Sequence, residues 1–477
     1  MQERLRPDAP DGSDAAAKPS RRRTAVAVAL VTIAFACIYA LIGILNHRHF
    51  GSSLDLGIFD QAVWHLSRFE RPFSSVKGYS IFGDHFHPII ALFVPFYWVY
   101  PGPEALIVAQ AVLFAASIVP VFLFLRRPFT SGQSVALCVA YGLFWGLQRA
   151  ALFDVHEFAF APLFVAGAIL AIDRRQWTRL WVWCVLLVLT KEDLIPLVTF
   201  IGLYVFLILG ERRQGGALVT FSLVCFLTIL RLVIPWFSGL GYYAYSNAYG
   251  EVLARPWLVP VTLVTPIVKG RTIFLWLAPF LFLPLRSPLS LLLIPFALVR
   301  FLSILPGHWG TSFHYSAPLA PILVMSAGDG LARLRRRVNT PLRARRVTTW
   351  AIAAMVVLSA FLPGRQPMWR LFSPARYGPT APERHARAVL AMIPPDASVA
   401  APAAIAAHLS ERDRIHILEA TVPSTDFIVA HSQVDPWPLP THDALNQVLN
   451  ERGARGYRLV YEADGWTVLR KETGIRK

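Results

Sequence analysis

Charged residues are scarce in this sequence. Asp, Glu, Lys and Arg make up 16% of its 477 residues, whereas a soluble domain usually carries about 25%. Hydrophobic residues reach 55%, and the mean hydropathy is +0.48. Together with apolar runs long enough to cross a bilayer, this shortage indicates an integral membrane protein rather than a soluble one.

Paired cysteines and nucleotide-binding motifs are also missing. No CxxC or Cys/His metal spacing occurs, and the four cysteines all lie inside apolar runs: Cys37, Cys138, Cys184 and Cys225. A disulfide framework or a zinc site is therefore disfavoured. The sequence has no Walker A, no GxGxxG after a strand, no GxSxG and no HExxH, which argues against ATP-driven transport and serine hydrolysis.

The positive charge is placed unevenly along the chain. The formal net charge is +17, yet residues 376–477 hold 12 Lys/Arg and 12 Asp/Glu. The excess therefore lies in the hydrophobic part, in short clusters between apolar runs, as the positive-inside rule describes. We infer that these clusters set the topology and contact anionic lipid. We expect the lipid bilayer, and no nucleic acid, as a partner.

Eleven apolar runs are candidate membrane spans. They are residues 24–44, 104–125, 131–148, 158–172, 177–190, 194–210, 216–235, 272–285, 288–305, 317–332 and 347–362. Residues 1–23 are interpreted as a disordered cytoplasmic tail, and the first run as a retained signal-anchor. The arginine clusters then share the cytoplasmic side. Two shorter stretches with prolines, 88–100 and 257–268, are expected to be interfacial or re-entrant.

The composition changes after the last run, where charges return. Short apolar stretches at 397–401 and 426–430 are typical of strands, and residues 457–470 predict a hairpin that turns at Asp464-Gly465. The predicted fold class is mainly α. It is a polytopic membrane helical bundle of about 11 transmembrane helices (24–362, with an outer loop at 45–103) and a small extracytoplasmic α/β domain (376–477).

Acidic residues and histidines collect on the predicted outer face, opposite the arginine clusters. Charges at membrane depth are costly and are usually partnered or functional, so tight groups beside apolar helices are candidate binding residues. The candidates are Asp84, His85 and His87 in the first outer loop, Asp154, His156 and Glu157 in the next outer turn, Lys191 and Glu192 in the third, Arg231 near the outer end of a span, and His314.

Structural roles compete with these functional interpretations. Asp84, His85 and His87 can bind a phosphate or a sugar hydroxyl, contribute to a divalent cation site, or form a structural hydrogen-bond cluster. Lys191 can clamp a phosphate or pair with its acidic neighbours in sequence. Arg231 can face an anionic lipid headgroup or be paired inside the protein.

The most specific stretch is Asp55-Leu-Gly-Ile-Phe-Asp-Gln-Ala-Val-Trp-His in the first outer loop. If it is helical, Phe59, Val63 and Leu66 form an apolar stripe suited to a membrane surface. Asp55 then either caps the N-terminus of the helix or has a catalytic role. Asp60 is either a second catalytic carboxylate or a solvated surface charge.

These residues resemble the GT-C superfamily of polyprenyl-phosphate-sugar-dependent membrane glycosyltransferases. More closely, they resemble a bacterial polytopic domain-of-unknown-function family within it. The resemblance covers residues 24–362 strongly and the C-terminal domain more loosely. It rests on a first span followed by Asp55-Leu-Gly-Ile-Phe-Asp-Gln, Asp84-His-Phe-His-Pro and Lys191-Glu-Asp-Leu-Ile-Pro, and on a soluble outer C-terminal domain.

The resemblance implies an inverting hexosyl- or pentosyltransferase. In such enzymes an aspartate of the first outer loop acts as general base on an acceptor hydroxyl, and the lipid phosphate leaves the anomeric carbon. Asp55 matches that position best. Asp60 is the alternative, because the loop lacks the adjacent Asp-Glu pair of many members. Lys191, His85 and Arg231 are among the candidates that can stabilise the leaving phosphate.

The expected partners follow from that resemblance. They are a polyprenyl-phosphate sugar donor and a glycan, lipid or protein acceptor, at the outer face of a bacterial plasma membrane. No metal ligand set is assigned, and a divalent cation stays open as an alternative. A transporter or flippase of a lipid-linked or anionic solute is the second hypothesis, although transporters usually carry their charges near mid-membrane. A non-catalytic membrane scaffold is the third.

Overall fold

Residues 21–361 form a bundle of apolar helices. The computed structural model describes residues 21–472. The α-helices of the bundle are α1 (Arg21–Arg48), α2 (Leu54–Ser67), α3 (Val94–Val99), α4 (Pro103–Ala116), α5 (Ile118–Leu125), α6 (Ser131–Leu143), α7 (Trp145–Leu152), α8 (Ala161–Asp173), α9 (Trp177–Thr190), α10 (Ile195–Leu203), α11 (Arg212–Thr228), α12 (Ile234–Ser238), α13 (Gly250–Ala254), α14 (Val259–Thr262), α15 (Ile267–Leu277), α16 (Ile294–Phe301), α17 (Ala320–Arg335) and α18 (Pro341–Phe361). Two short strands, β1 (Phe73–Ser74) and β2 (Tyr79–Ser80), pair after α2.

Continuous helices of full bilayer length are fewer than the predicted apolar runs. By length and composition, four segments in the described part of the chain can cross a bilayer: Arg21–Arg48, Pro103–Leu125, Arg212–Ser238 and Pro341–Phe361. Two bent pairs raise the number to six, α6 with α7 and Pro256–Thr262 with Ile267–Phe280. Several of the other predicted runs form helices shorter than the about 20 residues of a straight span.

The boundaries at the ends of the bundle also differ from the predicted ones. Residues 21–23, assigned to the tail, form the first turn of α1, and residues 1–20 lie outside the described part. Residues 257–268 contribute to a bent pair with a 63° angle, consistent with a broken or re-entrant element. Residues 88–99 form a short apolar helical segment.

Three of the basic clusters meet at one end of the bundle. The Arg127 guanidinium lies 2.6 Å from a carboxylate oxygen of Asp173, and Arg175 pairs with Glu211. Helix α9 starts beside this end and leads to Lys191, about 20 Å away at 1.5 Å per residue. The clustered acids and histidines therefore lie at the opposite end of the bundle from these arginines.

The C-terminal domain is a five-stranded sheet with flanking helices. Its elements are α19 (Ala381–Leu390), β3 (Val399–Ala401), α20 (Ala403–Ala406), β4 (Ile415–Ile417), β5 (Phe427–His431), α21 (His442–Ala454), β6 (Tyr457–Ala463) and β7 (Trp466–Lys471). The strand order is β4-β3-β5-β7-β6, with the first three strands parallel. The predicted hairpin is confirmed: Asp464 and Gly465 both have positive φ, as its two-residue turn requires.

Helix α2 carries the contact with the C-terminal domain on one of its faces. A Cβ at Gly57 would lie 3.5 Å from the Cα of Ala407, an ordinary van der Waals distance, so the backbone of α2 packs directly against Ala407 of the C-terminal domain. One turn further on, the fully buried Gln61 donates to the carbonyl of Arg412 at 2.7 Å and accepts from the amide of Ser75. These contacts hold the sheet domain against the bundle.

Asp60 lies on the same face and completes this interface. Its side chain is fully buried and accepts hydrogen bonds from the hydroxyls of Ser410 at 2.7 Å and Tyr97 at 3.1 Å. The hydroxyl of Tyr97 also lies 2.7 Å from Glu411. Because this hydroxyl has one proton for two carboxylates, Asp60 is favoured in its neutral form. Burial, and then the charge of Glu411, raise the pKa of Asp60 to about 8.

This arrangement predicts a pH dependence of stability. A carboxyl whose pKa is raised in the folded state binds its proton more tightly there, so Asp60 should lower the stability as the pH rises from about 4 towards 8. Asp60→Asn mimics the neutral acid. Thermal unfolding of the detergent-solubilised protein at pH 6 to 9 should show a weaker loss of Tm for this variant. Asp413→Asn, on the same interface, serves as the control, and an unchanged pH slope in Asp60→Asn would contradict the assignment.

Candidate functional site

A polar cavity of about 220 Å³, here called the site cavity, lies at the end of the bundle away from the arginine clusters. It gathers residues from α2, from the loop with β1 and β2, and from the segments that flank α8, α9 and α13. Its lining residues are Asp55, Ile58, Phe59, Lys77, Ile81, Asp84, His85, His87, His156, Glu157, Lys191, Asp193, Tyr243, Tyr245, Ala248, Tyr249, Leu305, His308, His314 and Tyr315.

Asp154 rather than Asp55 caps helix α2. Its carboxylate accepts hydrogen bonds from the backbone N–H groups of Ser53 at 2.8 Å and Leu56 at 3.1 Å. These are N–H groups that the first turn of a helix leaves without partners. Asp154 is buried, so it acts as a positioning residue. The side chain of Asp55 is free of the capping role, is 37% exposed, and faces the site cavity.

A chain of alternating charges runs from Asp55 into the protein. The Nε2 atom of His156 lies 3.2 Å from the Asp55 carboxylate, and Nδ1 lies 3.7 Å from Glu157. The other carboxylate oxygen of Glu157 is 2.9 Å from the Lys191 ammonium. Glu157 and Lys191 are both buried, and buried charges are tolerated when each has a partner of opposite sign.

The charge states follow from these contacts. Burial lowers the pKa of His156, but Asp55 and Glu157 outweigh it and raise the pKa to about 9, so that the imidazole is protonated at neutral pH. Burial raises the pKa of Asp55, but His156 more than offsets this and lowers it. Glu157 offsets burial in the same way and raises the pKa of Lys191 well above its usual value. All members of the chain are thus charged at neutral pH.

His85 and Glu192 form a second buried pair. Nδ1 of His85 makes a short contact with Glu192, which also accepts from the backbone amide of Phe86 and from the hydroxyl of Tyr243, both at 2.9 Å. Burial works against both charged forms, but their attraction raises the pKa of His85 and lowers that of Glu192 to about 2. Glu192 therefore fixes the orientation of His85 at the cavity.

Asp84 is anchored at the cavity wall by a cation and a phenol. The ammonium of Lys77 lies 3.0 Å from one carboxylate oxygen, and the hydroxyl of Tyr245 donates to the other at 2.8 Å. Burial raises the pKa of Asp84, but His85 and Lys77 outweigh it and lower the pKa to about 2. The positive and negative groups of the cavity are close to balanced, as suits a polar but uncharged ligand.

Two buried histidines lack hydrogen-bond partners. His87 and His314 are 1% and 4% exposed, and neither ring nitrogen of either residue has such a partner among the described residues. Burial lowers the pKa of His87 to about 4 and, with the neighbouring His156, that of His314 well below its usual value. Buried polar atoms are nearly always satisfied. These neutral rings are therefore free to bind a polar ligand in the site cavity.

An apolar cavity of about 740 Å³, here called the apolar cavity, adjoins the site cavity and shares Asp193, Tyr243 and Tyr249 with it. Side chains such as Leu253 line most of it. Arg231 also lines it, and between residues 21 and 472 no carboxylate lies within ion-pair distance of this guanidinium.

The ligand-type side chains of the site cavity do not converge on one point. In the described part of the chain, one group of His, Cys, Asp and Glu has atoms close enough together to hold a metal ion: His65, Glu70 and Asp413. None of the three lines the site cavity. The alternative of a divalent cation held locally by Asp84 and its histidine neighbours gains no support, because Asp84 is engaged by Lys77.

The family model described as a predicted membrane protein (DUF2079) matches residues 47–468. The chain belongs to the DUF2079 family. None of the curated proteins matches it significantly. Among solved structures, it is similar to ArnT from Cupriavidus metallidurans bound to undecaprenyl phosphate. That match has 14% identity and a TM-score of 0.56, and it covers 94% of this chain and 99% of that one.

ArnT in the apo state is also similar, with 13% identity, a TM-score of 0.52 and coverage of 93% and 98%. The archaeal oligosaccharyltransferase AglB from Archaeoglobus fulgidus, in complex with an inhibitory peptide and a dolichol-phosphate, matches at 12% identity. Its TM-score is 0.45, and 94% of this chain and 74% of that one are covered. The likeness to ArnT gives the DUF2079 chain a GT-C-like fold, and the family description together with its several apolar helices makes it a multi-pass membrane protein.

Most of the candidate residues come together in the DUF2079 structure. The members that line the site cavity are Asp55, Asp84, His85, His87, His156, Glu157, Lys191 and His314. Two further candidates contact the elements that carry these residues: Glu192 pairs with His85, and Asp154 caps α2. Arg231 lines the adjoining apolar cavity. Asp60 does not line the cavity, because it is buried against Ser410. This position fits neither of the two roles predicted for it, a catalytic base or a solvated surface charge.

Several cavity residues were missed by the sequence analysis. Tyr243 and Tyr245 hold carboxylates of the site, and Tyr315 lines it. Arg300 is buried and donates to the carbonyl groups of His308 and Gly310, at 2.9 and 2.8 Å, which holds the loop before His314 in place. The only feature of the sequence that indicated a role for these tyrosines was their position on the predicted outer face. Arg300 lies in an apolar run, and no feature of the sequence indicated its role.

The buried Glu157–Lys191 pair is expected to be energetically coupled. Lys191→Met removes the nearer of the two cations beside the buried Glu157 carboxylate and leaves, among the described residues, only His156, 3.7 Å away, so it should destabilise the protein by up to about 3–5 kcal/mol. Adding Glu157→Gln should restore much of that loss. Denaturation of the single and double variants measures the coupling. Arg333→Met breaks the exposed pair with Asp329 and, as a control, should cost less than about 1 kcal/mol. Additive single effects at Glu157 and Lys191 would contradict the pairing.

Proposed function

We propose that the protein is an inverting glycosyltransferase that moves a sugar from a polyprenyl-phosphate donor to an acceptor hydroxyl. The observation that carries this proposal is the position of Asp55. Its carboxylate faces a polar, nearly charge-balanced cavity, and that cavity shares lining residues with an apolar one, whose Arg231 has no acidic partner among the residues that the structure describes. A lipid-linked sugar has three matching parts: an apolar chain, a phosphate and a polar ring.

The donor fits across the two cavities. The polyprenyl chain would occupy the apolar cavity, since apolar burial is its main source of affinity. Arg231 would bind the phosphate, because the cations of the site cavity already have carboxylate partners while Arg231 has none within the described residues. The sugar ring would then enter the site cavity, where His87 and His314 offer free ring nitrogens to hydroxyl groups. The fold shared with ArnT bound to undecaprenyl phosphate agrees with this donor class.

Asp55 would act as the general base. It takes the proton of the acceptor hydroxyl as the acceptor oxygen attacks the anomeric carbon, and the bond from that carbon to the phosphate oxygen breaks, with the electron pair leaving on the phosphate. Attack opposite the leaving group inverts the configuration. His156 is a positioning residue, because its contact at 3.2 Å holds one side of the Asp55 carboxylate. Arg231 and the cations of the site cavity would stabilise the phosphate that develops negative charge.

The same proposal includes an orientation. Arginine clusters favour the cytoplasmic side of a membrane, so the end of the bundle with Arg127 and Arg175 would face the cytoplasm. The site cavity and the C-terminal domain would then lie outside, at the outer face of a bacterial plasma membrane. Polyprenyl-phosphate sugars displayed at that face would enter the apolar cavity from the bilayer.

Asp55→Asn should remove the base while keeping the size of the side chain. We expect sugar transfer in membranes supplied with radiolabelled polyprenyl-phosphate sugars to fall by about 10²- to 10⁴-fold, with thermal stability nearly unchanged. Asp443→Asn, at an exposed position of α21, is the matched control. Transfer that survives Asp55→Asn would refute the base assignment. Movement of lipid-linked sugar across the bilayer without any transfer product would instead favour the transporter hypothesis. An unaltered cellular phenotype in the variant would favour the scaffold hypothesis.

Arg231→Gln should weaken the binding of the carrier lipid and also slow the transfer. Loss of a hydrogen-bonded charge opposite a phosphate should lower the affinity for undecaprenyl phosphate by about tenfold or more, raising KM for the donor, and should lower kcat because the leaving phosphate loses the same cation. Native mass spectrometry of the protein in nanodiscs measures this binding. Arg271→Gln, another exposed arginine that lines none of the cavities described here, is the control. Equal losses in both variants would show a nonspecific charge effect.

A further inference from the structure

A third cavity lies between the bundle and the C-terminal domain. It has a volume of about 720 Å³ and is here called the junction cavity. It shares Asp55, Leu305, His308, His314 and Tyr315 with the site cavity. Asp55 therefore stands where the two cavities meet, and a group in the junction cavity reaches the same carboxylate as a group in the site cavity.

The C-terminal domain contributes an aromatic side chain to this cavity. Trp437 follows β5 in a turn that is held by two hydrogen bonds: its backbone N–H donates to the Asp435 carboxylate at 3.0 Å, and its carbonyl accepts from the amide of Ala403 at 3.1 Å. The Trp437 ring is 46% exposed and belongs to neither hydrophobic core of the domain. Packing within the domain therefore does not explain why a tryptophan stands at this position. Trp466, by contrast, is fully buried in one of the two cores.

The charges of the junction cavity select against anions. None of the described residues that line it is a lysine or an arginine, while Asp55 and Asp435 both are carboxylates. Burial lowers the pKa of His308 to about 4, so this lining histidine is neutral as well. A phosphorylated or otherwise acidic ligand would meet the carboxylates of Asp435 and Asp55, and the cation that contacts Asp55, His156, is already paired with it. Aromatic faces from Trp437 and Phe313, next to carboxylate and hydroxyl oxygens, suit an uncharged polyhydroxyl ligand.

We propose that the junction cavity is the acceptor subsite and that it takes an uncharged saccharide, with Trp437 stacking on a sugar ring and a hydroxyl directed at Asp55. This inference rests on the proposed glycosyl transfer. In an inverting displacement the acceptor approaches the anomeric carbon from the side opposite the phosphate. The carrier lipid is assigned to the apolar cavity, which has no described lining residue in common with the junction cavity, whereas the junction cavity meets the site cavity at Asp55.

The test uses the full-length protein in nanodiscs with two kinds of probe. Saturation-transfer NMR with neutral tetrasaccharides (maltotetraose, mannotetraose, laminaritetraose) and with their 6-phosphates as charged counterparts reports on the junction cavity. Undecaprenyl phosphate binding reports on the donor side. We expect binding of at least one neutral tetrasaccharide in preference to its phosphate, weakened about tenfold in Trp437→Ala. Trp437→Phe should retain most of the binding, and carrier-lipid affinity should not change.

The outcomes of this test decide whether the junction cavity is the acceptor subsite. Saccharide binding that survives Trp437→Ala, a preference for the phosphorylated probes, or no neutral probe bound by the wild type would overturn the acceptor assignment. Trp257→Ala, at a tryptophan that is 72% exposed and lines none of these cavities, must leave binding intact. If saccharide binds through Trp437 while undecaprenyl phosphate does not bind at all, the subsite stands and the proposed donor fails.

Discussion

Charged side chains that are buried in this protein need partners of opposite charge, and this requirement determines how the residues of the site are arranged. Asp55 belongs to α2, His156 and Glu157 precede α8, and Lys191 follows α9. Their alternating contacts tie three separate elements together at one end of the bundle. Removing a buried member, such as Glu157 or Lys191, would leave its neighbours uncompensated in a setting where that is expensive. The orientation of the Asp55 carboxylate is thus a consequence of how the helices are joined.

Helix α2 links this chain of charges to the C-terminal domain. Residues one turn apart on one face, Gly57, Asp60 and Gln61, contact that domain, while Asp55 and Phe59 face the site cavity. The short sequence Asp-Leu-Gly-Ile-Phe-Asp-Gln therefore supplies both the contact with the C-terminal domain and part of the lining of the site cavity. Any displacement of the sheet domain would act on the same element that carries the proposed base, and it would reshape the junction cavity on the other side of Asp55.

The sequence was sufficient for the general architecture and for most of the site. Arginine placement separated the two ends of the bundle, so the acids and histidines opposite the arginines were correctly grouped, and the turn at Asp464-Gly465 located the terminal hairpin. The lengths of the helices were not predictable from the apolar runs: some runs, such as the one that contains the 16-residue helix α17, form helices shorter than a full span. The roles of Asp154 and Asp60 depend on partners 98 to 350 positions away, which no local pattern reveals.

The most direct test of the account is an experimental structure of the protein with undecaprenyl phosphate bound in nanodiscs. The account predicts the isoprenoid chain in the apolar cavity beside Leu253, and a phosphate oxygen within about 3 Å of the Arg231 guanidinium, with the phosphate facing the site cavity that contains Asp55. A carrier lipid bound elsewhere on the bundle, or a phosphate with no path to Asp55, would contradict the central claim that these cavities form one glycosyl-transfer site.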